Sequence, residues 1–293
     1  MPRLPKPTIS IIGTGRLGTA LALALNRTGY RVVGLVARRH RKAENAAKRL
    51  GKQRGVALAG RNLQRLPESD VILICTPDDE IESVVNRLLE QAKAGTVLHT
   101  SGALSSDVLS PLARMGANTG SIHPLISVSE PETGANAFRG AYFCIEGNAK
   151  ALRVARRIVS DLNGTAFSIP SRSKALYHAA AVLASPHATA LFDVAVKTLV
   201  EAGLDRKQAR QVLVPLLEST VRNLQTSDTA AALTGTFARG DVATVKRHLK
   251  ALSGKEHRHT LQIYKLLGLH ALQLARTRGL DPKLIKTIKK QLG

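Results

Sequence analysis

Lys174 and His178 are the two side chains whose types and spacing best suit acid–base chemistry in this sequence. Their four-residue separation places them on one face of a helix, and Ala181 and Ser185 continue that face with small side chains that leave room for a ligand. A lysine ammonium there can donate to a carbonyl oxygen and stabilise the negative charge that develops on it. The alternative is a solvated surface pair, because the chain contains 43 lysines and arginines.

A glycine-rich turn near the N-terminus has the spacing GxGxxG of a dinucleotide-binding motif. It follows the β-rich run Thr8–Ile12 and precedes an alanine- and leucine-rich helix, which is the context that the motif requires. The glycines permit a tight turn, close approach of a pyrophosphate and helix–strand packing, while helix N-terminal amides hold the phosphate charge. The cofactor-binding residues predicted from the motif are Gly13, Gly15, Arg16, Leu17 and Gly18.

Two arginines follow the second predicted strand, at the position that decides between the two nicotinamide cofactors. An NAD-binding protein places an acidic residue there to hold the ribose diol, but this sequence has Arg38 and Arg39 within the segment VARRHRK. A cationic cluster suits a 2′-phosphate, so the sequence predicts NADP(H) as the cofactor. The alternative is that an arginine-rich chain places arginines there by chance.

Further candidates follow other predicted strands, at the sheet edge where ligands of open α/β folds bind. Thr76 and Pro77 are predicted to contact the ribose and nicotinamide. Ser101, in the sequence Thr-Ser-Gly, is a candidate for both cofactor binding and catalysis, with an ordinary loop and helix cap as the alternative. His123 precedes a proline and is either a structural histidine or a catalytic one.

The segment LTGTFARGD, residues 233–241, predicts a loop that leads into a helix. Arg239 lies between two glycines, and such a loop can bring a guanidinium group to a substrate carboxylate. The alternative is a simple connector in which Asp241 caps the next helix. Ser185 and Arg239 are the predicted substrate-binding residues.

Strand and helix patterns alternate as far as residue 169, and helical patterns continue alone beyond it. The fold class is therefore α/β, with a doubly wound N-terminal Rossmann domain over residues 1–170 and an all-α domain over 171–293. Predicted strands are Thr8–Ile12, Arg31–Val36, Val71–Cys75, Thr96–His99, Ser121–Ile122, Ala141–Ile145 and Ala166–Ile169, and predicted helices between them are Thr19–Leu25, Lys42–Leu50, Glu80–Gln91, Leu109–Met115 and Ala149–Leu162. Helix starts in the second half are predicted at the capping box Asp205/Gln208, at Asp241 and at Asp281-Pro282.

Composition narrows the class of protein. At 293 residues and 44% hydrophobic content, the chain is long enough for two cores. Cys75 and Cys144 lie in apolar runs without a CxxC or Cys/His cluster, which argues against disulfides and a metal site and favours a reducing cytoplasm. No secretory leader pattern and no run of about 18 apolar residues is seen, so we expect no membrane association.

The formal net charge of +22 raises the question of nucleic-acid binding. The positive charge is spread over both halves of the chain, and five Phe, four Tyr and no Trp offer little for base stacking. We therefore expect no specific nucleic-acid partner and interpret the charge as a cationic surface that attracts anionic substrates.

The motifs GTGRLG, VILICTPDD, HTSGALSSDVL, SIHPL, SKALYHAAAVLAS and LTGTFARGD, in this order, resemble a bacterial Rossmann-like family whose C-terminal half is a domain of unknown function. That family is similar to the 6-phosphogluconate dehydrogenase-type superfamily, whose members include pyrroline-5-carboxylate reductase and ketopantoate reductase. In β-hydroxyacid dehydrogenases of this superfamily a catalytic lysine precedes an asparagine by four residues. The resemblance implies the lysine role for Lys174, with His178 in place of asparagine. The chain departs from the family at Ser185-Pro186, where the family has Ser-Asn, and at Thr234-Gly235-Thr236, where it has Thr-Gly-Pro.

These features together predict an NADPH-dependent reductase of a small 2-oxo acid, and the resemblance implies ketopantoate as the specific candidate. In this hypothesis Lys174 donates the proton, His178 orients the substrate or relays a proton, and Arg239 holds the substrate carboxylate. The alternatives are a reductase of a cyclic imine and a non-enzymatic NADP(H)-binding sensor. The apolar segment Tyr264–Ala275 predicts a homodimer.

Overall fold

The computed structural model describes residues 5–51, 55–90 and 95–293. Within these residues, eight strands form one sheet in the order β3-β2-β1-β4-β5-β6-β7-β8. Neighbouring strands are parallel, except that β7 runs antiparallel to β6. The strands are β1 (Ile9–Ile12), β2 (Val32–Ala37), β3 (Val56–Ala59), β4 (Val71–Ile74), β5 (Thr96–His99), β6 (Asn118–Pro124), β7 (Tyr142–Gly147) and β8 (Thr165–Phe167).

The central strands are apolar because helices cover both faces of the sheet. Every residue of β1 and β4 is buried. Successive side chains enter opposite cores: Ile11 packs in the cluster that contains α1 residues, whereas Ile12 packs in the cluster that contains α3 residues. Helices of this half of the chain are α1 (Arg16–Arg27), α2 (His40–Arg49), α3 (Asp78–Leu89), α4 (Ser110–Arg114), α5 (Pro131–Ala137), α6 (Ala149–Asp161) and α7 (Lys174–Ala184). The predicted doubly wound Rossmann domain is confirmed.

The second half of the chain is all-helical, as predicted. The capping box of Asp205 and Gln208 is present at the start of α9, and Asp241 and Asp281 accept backbone N–H groups at the starts of α12 and α14. Val245, Leu272, Ile288 and Leu292 form its small buried core. The helices are α8 (Pro186–Glu201), α9 (Arg206–Thr226), α10 (Thr229–Ala232), α11 (Gly235–Ala238), α12 (Val242–Ala251), α13 (Arg258–Thr277) and α14 (Pro282–Leu292).

The chain divides into two compact units after Pro186, beyond the predicted domain boundary at residue 170. Helix α7 belongs to the N-terminal unit, because the Lys174 side chain at its start is hydrogen-bonded to Ser101, in the turn after β5, and to Ser121 of β6. The helix therefore carries the predicted catalytic pair on the sheet-containing unit. Each unit is described by itself below.

Several elements differ from the sequence prediction. Strand β3 and helix α5 were not predicted, since each is short and lies between polar segments. The predicted helix Leu109–Met115 is a 3₁₀ turn over Ser106–Leu109 followed by α4. The predicted loop at 233–241 contains the one-turn helix α11. Gln91, the predicted end of the third helix, lies outside the described residues.

The segment Ser171–Glu201 is long and apolar enough to cross a membrane by length and composition alone, with a mean hydropathy of 1.4. Sequence analysis considered uninterrupted apolar runs and did not identify this segment, because polar residues interrupt it although its average hydropathy is high. This is weak evidence for a membrane span. The segment consists of α7 and α8, with Ser185-Pro186 between them. The Lys174 side chain near its beginning is hydrogen-bonded to Ser101 and Ser121.

Candidate functional site

The glycine turn joins β1 to α1 and has a backbone that only glycine fits at two positions. Gly13 has a φ of +102°, and a Cβ atom on it would lie 2.6 Å from the carbonyl carbon of Cys75. A Cβ atom on Gly18 would lie 2.0 Å from the Gly13 carbonyl oxygen. At Gly15, by contrast, no described atom lies within 4 Å of such a Cβ. The turn is thus closely packed on the protein side and open on the side where a phosphate would bind.

A cleft of about 1070 Å³ opens above this turn within the N-terminal unit. Its size suits a dinucleotide, and the uncapped N-terminus of α1 at Gly15 directs backbone amides toward bound negative charge. Among the predicted cofactor residues, Gly13, Gly15, Arg38, Arg39, Thr76 and Pro77 line it. Arg16 is exposed at the start of α1, Leu17 packs on the core and Gly18 packs on Gly13.

Unsatisfied polar groups in the cleft fit a polar ligand. The buried hydroxyl groups of Thr14 and Thr76 have no hydrogen-bond partner among the described residues, although both residues line the cleft. Buried hydroxyl groups normally have partners, so these two have unused capacity for a bound ligand. The residues present therefore fit a dinucleotide phosphate group and ribose.

Among the described residues, four cationic side chains line the cleft: Arg38, Arg39, Lys42 and Arg87. Arg38 forms an ion pair with Glu80 at the start of α3, and its side chain remains 81% exposed. Sequence analysis included Lys42 in the cationic segment that follows β2, together with the two arginines, but did not identify Arg87 or Glu80. Arg87 and Glu80 come from another helix, and only the fold brings them there.

Lys174 is the most buried of the candidate catalytic side chains, with 1% of its surface exposed. Its Nζ atom donates to the Ser101 carbonyl oxygen at 3.0 Å and to Ser121 Oγ at 3.1 Å. Burial lowers the Lys174 pKa, whereas the nearby negative charges of Glu146 and Asp78 oppose that shift. The ammonium group thus lies at the carboxyl end of β5 and against β6, with Nζ 5.9 Å from the centroid of the Tyr177 ring.

Glu146 positions the start of α7 and was missed by sequence analysis. This 6%-exposed carboxylate accepts from Ser171 Oγ at 3.2 Å, just before α7, and from the Ser106 backbone N–H at 2.5 Å and hydroxyl at 2.9 Å. It therefore connects the turn before Lys174 to the turn after β5. A glutamate on a strand has no sequence signal for such a role.

His123, Tyr177 and His178 form a second polar group beside Lys174. His123 Nδ1 lies 2.7 Å from the Tyr177 hydroxyl, and the His123 and His178 ring centroids are 5.7 Å apart in an edge-on arrangement. Burial, together with the positive charge of Lys174, lowers the His123 pKa to about 4, so the ring is neutral at pH 7. The structure thus brings three predicted residues together with Tyr177, which sequence analysis missed although it follows Lys174 by three residues on α7.

The Ser101 hydroxyl has the contacts of a turn cap. It donates to Asp78 Oδ2 at 2.8 Å and accepts from the Ala103 and Leu104 backbone N–H groups at 3.2 and 2.9 Å. These contacts correspond to the loop-and-cap alternative, and Ser101 is not among the described residues that line the cleft. Its carbonyl oxygen, rather than its hydroxyl, contacts Lys174.

The two predicted substrate-binding residues lie at helix ends. Ser185 follows α7 and its N–H group bonds the Ala181 carbonyl oxygen. Arg239 is exposed at the end of α11, in the C-terminal unit, while Lys174 is in the N-terminal unit. Contact of either residue with a substrate stays a prediction. Among residues 5–51, 55–90 and 95–293, no group of three or more His, Cys, Asp and Glu side chains could hold a metal ion.

His99, at the end of β5, makes the stability of the protein sensitive to acid. Its ring is completely buried, with Nδ1 accepting the Ser101 N–H and Nε2 3.2 Å from the Ser105 carbonyl oxygen. Burial lowers its pKa from 6.5 to about 4. Between these values the unfolded chain binds a proton that the folded chain does not, so stability is lost as pH falls, on the order of 3 kcal/mol once pH is below 4.

We expect His99→Gln to reduce the slope of the free energy of unfolding against pH by an amount equivalent to about one proton. His123 contributes a similar slope, which this substitution leaves in place. Urea unfolding at several pH values between 4 and 7.5 measures the effect. An unchanged slope in His99→Gln would show that His99 does not titrate as the burial requires.

Comparison with known proteins agrees with this fold. The protein consists of an α/β unit of the nucleotide-binding type, with its sheet and glycine turn, and of a helical unit. Residues 2–124 match the family of Rossmann-like domains, and residues 141–271 match the family described as domain of unknown function DUF2520. The two matches cover successive parts of the chain, which confirms the resemblance inferred from the motifs. No curated protein matches the sequence.

Solved structures share the fold over nearly the whole chain. Protein TM1727 from Thermotoga maritima is 24% identical with a TM-score of 0.72, covering 92% of this chain and 99% of that one. Protein BF3122 from Bacteroides fragilis, described as a candidate NADP oxidoreductase, is 22% identical with a TM-score of 0.77 and the same coverage. A Plasmodium falciparum pyrroline carboxylate reductase with NADP bound is 12% identical with a TM-score of 0.58, covering 99% of this chain and 100% of that one. At these identities the likeness establishes the fold.

Proposed function

We propose that this protein is an NADPH-dependent reductase of a small 2-oxo acid, with ketopantoate as the specific candidate. The observation that carries the proposal is the buried Lys174 ammonium group at the carboxyl end of β5, on the unit that holds the cation-lined cleft. Ligands of open α/β sheets bind at this edge. The fold shared with an NADP-bound reductase and with a candidate NADP oxidoreductase supports the same class.

The residues of the cleft would hold the cofactor in the usual Rossmann manner. The glycine turn and the N-terminus of α1 would bind the pyrophosphate, and Arg38 and Arg39 the 2′-phosphate. Thr76 and Pro77, after β4, would contact the ribose and nicotinamide. When bound, NADPH supplies the hydride that the reduction requires.

Lys174 would act on the substrate oxygen. Reduction of a ketone gives the carbon a hydride and the oxygen a proton, and the lysine ammonium donates that proton or stabilises the charge that precedes its transfer. Burial of Nζ excludes water and strengthens this interaction. His178, on the same helix face, would orient the substrate, and Arg239 would bind its carboxylate.

Reduction of a cyclic imine is the alternative enzymatic function, favoured by the shared fold of pyrroline carboxylate reductase. A protonated imine needs no proton donor, so the two functions differ in their dependence on Lys174. The experiment is a screen of matched 2-oxo acids and cyclic imines with NADPH. Turnover of the acids that requires Lys174 supports the proposal, turnover of imines alone supports the alternative, and tight cofactor binding without any turnover supports a sensor.

Glu80 gives a prediction about cofactor selectivity. Because its carboxylate pairs with Arg38 within the cleft, it competes with a 2′-phosphate for that guanidinium group. We expect Glu80→Gln to raise NADPH affinity by up to about tenfold, the effect of one charged contact near water, and to change NADH affinity much less. Fluorescence titration with both cofactors measures this. Glu82→Gln on the exposed side of α3 is the matched control, and weaker NADPH binding by Glu80→Gln would contradict the competition.

We also propose that the protein is a cytoplasmic homodimer. Both cysteines are free, which agrees with a reducing compartment. The predicted segment Tyr264–Ala275 exposes Leu266 and Leu267, and α9 exposes further apolar side chains, among them Leu216 at 63%. A second copy of the chain would cover these side chains.

We expect sedimentation at micromolar concentration to give twice the chain mass of 31.3 kDa. Leu216→Glu, which places a charge on the exposed apolar face of α9, is expected to shift the mass toward the monomer. A monomeric mass for the unaltered protein would contradict the proposal.

A further inference from the structure

The His123 ring is held at one nitrogen and left available at the other. Its Nδ1 atom lies 2.7 Å from the Tyr177 hydroxyl, and the two rings meet edge-on with centroids 5.6 Å apart. No described residue is hydrogen-bonded to its Nε2 atom. A Cβ atom on Gly102 would lie 2.8 Å from Nε2 and 2.5 Å from His178 Cδ2, so this edge of the ring faces the turn after β5.

The same turn binds Lys174. The Ser101 carbonyl oxygen, immediately before Gly102, accepts from Lys174 Nζ. The free nitrogen of His123 and the Lys174 ammonium group therefore adjoin two consecutive residues of one turn, at the carboxyl end of β5. Two donors at this point could act on the same substrate oxygen.

Cys144 is a further neighbour of Tyr177. It lies opposite His123 in the β6–β7 ladder, and its thiol is close enough to the phenol to affect the Tyr177 pKa. Burial raises the pKa of both groups, so both keep their protons at neutral pH. The chain Cys144–Tyr177–His123 thus contains a thiol hydrogen, a phenol hydrogen and one imidazole hydrogen.

These three groups can donate and accept in two alternative orders. In one, the thiol donates to the phenol oxygen, the phenol donates to Nδ1, and His123 carries its hydrogen on Nε2. In the other, Nδ1 donates to the phenol and the phenol donates to sulfur. The first order pairs the strongest donor, the phenol, with the strongest acceptor, the imidazole nitrogen, whereas the second uses sulfur, a weak acceptor, in that place. The first is therefore the more stable.

We propose that Tyr177 is a positioning residue that holds neutral His123 as the Nε2–H tautomer, so that this N–H donates to the substrate oxygen beside Lys174. The hydrogen bond at one ring nitrogen decides which nitrogen is protonated. A neutral N–H donor stabilises developing negative charge without giving up a proton, which leaves proton transfer to Lys174. This role rests on the proposed reductase function, but the tautomer does not.

Nitrogen NMR of protein labelled with ¹⁵N-histidine tests the tautomer directly in the full chain without cofactor. The His123 signals are assigned from their loss in His123→Gln. We expect the unaltered protein to show protonated Nε2 and unprotonated Nδ1, and Tyr177→Phe to lose this preference while the Phe ring still packs on Phe167. Protonated Nδ1 in the unaltered protein, or an unchanged tautomer in Tyr177→Phe, would overturn the proposal.

A matched control comes from the C-terminal unit. Tyr264 hydroxyl lies 2.8 Å from His248 Nδ1, the same kind of pair. We expect Tyr264→Phe to alter the His248 signals and leave those of His123 unchanged. A change at His123 in this variant would indicate a general disturbance and overturn the interpretation of Tyr177→Phe.

Kinetics separates this proposal from the proposed function. With a substrate found in the screen, Tyr177→Phe is expected to lower kcat about tenfold, the effect of one weakened hydrogen bond in the transition state, with little change in KM. An unchanged kcat with the altered tautomer would overturn the catalytic role of the His123 N–H. If no substrate is turned over by the unaltered protein, the proposed function fails while the NMR result still decides the role of Tyr177 in setting the tautomer.

Discussion

Replacing Lys174 with methionine is expected to lower kcat by on the order of 10²–10⁴, the range typical of a lost proton donor or oxyanion donor. Methionine keeps the length of the buried stem but removes the ammonium group that Ser101 and Ser121 hold. NADPH affinity should change little, because Lys174 is not among the described residues that line the cofactor cleft. Steady-state turnover and cofactor titration on the same preparation measure the two effects.

Two further variants separate chemistry from packing. Ser121→Ala removes one hydrogen bond to Nζ and keeps the charge, so we expect a loss of about tenfold or less. Thermal unfolding of each variant checks that α7 remains attached to the sheet. Turnover of Lys174→Met within a few-fold of the unaltered protein would remove the lysine from the mechanism and direct attention to His123.

Changing Arg38 and Arg39 together to alanine is expected to abolish most of the preference for NADPH over NADH. A charge-assisted contact to phosphate contributes on the order of 1.5–3 kcal/mol, about one to two decades in affinity. Arg38 is largely exposed, which places its contribution at the lower end. NADH affinity should be nearly unchanged, since its ribose carries no phosphate.

Arg41→Ala is the matched control for these arginines. It removes an exposed cation from the same segment, but Arg41 is not among the described residues that line the cleft. Its NADPH affinity should remain close to that of the unaltered protein. Equal affinities for NADPH and NADH in the unaltered protein would contradict the assignment of these arginines.

The cofactor half of the site could be predicted from the sequence because its signals are local. The glycine spacing indicates a tight turn, in which Gly13 has a positive φ that other residues rarely adopt, and the arginines follow β2 directly. Helix starts such as Asp205 were predictable for the same reason, since the cap and its N–H groups lie within three residues. The short edge strand β3 has no such signal and gains its structure from pairing with β2.

The part of the candidate site around Lys174 depends on contacts between distant parts of the chain. Lys174 reaches Ser101 and Ser121, 73 and 53 residues away, and no local pattern indicates these partners. For the same reason the predicted boundary at 170 preceded the observed division after Pro186: helical periodicity begins with α7, but the packing of α7 is decided by Lys174. Tyr177 could have been found, because it follows Lys174 by three residues on one helix.

Cofactor oxidation coupled to substrate reduction tests the central claim most directly. The unaltered protein is incubated with NADPH and, separately, with ketopantoate, related 2-oxo acids and pyrroline-5-carboxylate, and loss of NADPH is compared with formation of the reduced product. We predict one equivalent of product for each NADPH consumed with a 2-oxo acid, and a loss of that turnover in Lys174→Met. NADPH that binds but is not oxidised with any of these compounds would contradict the account.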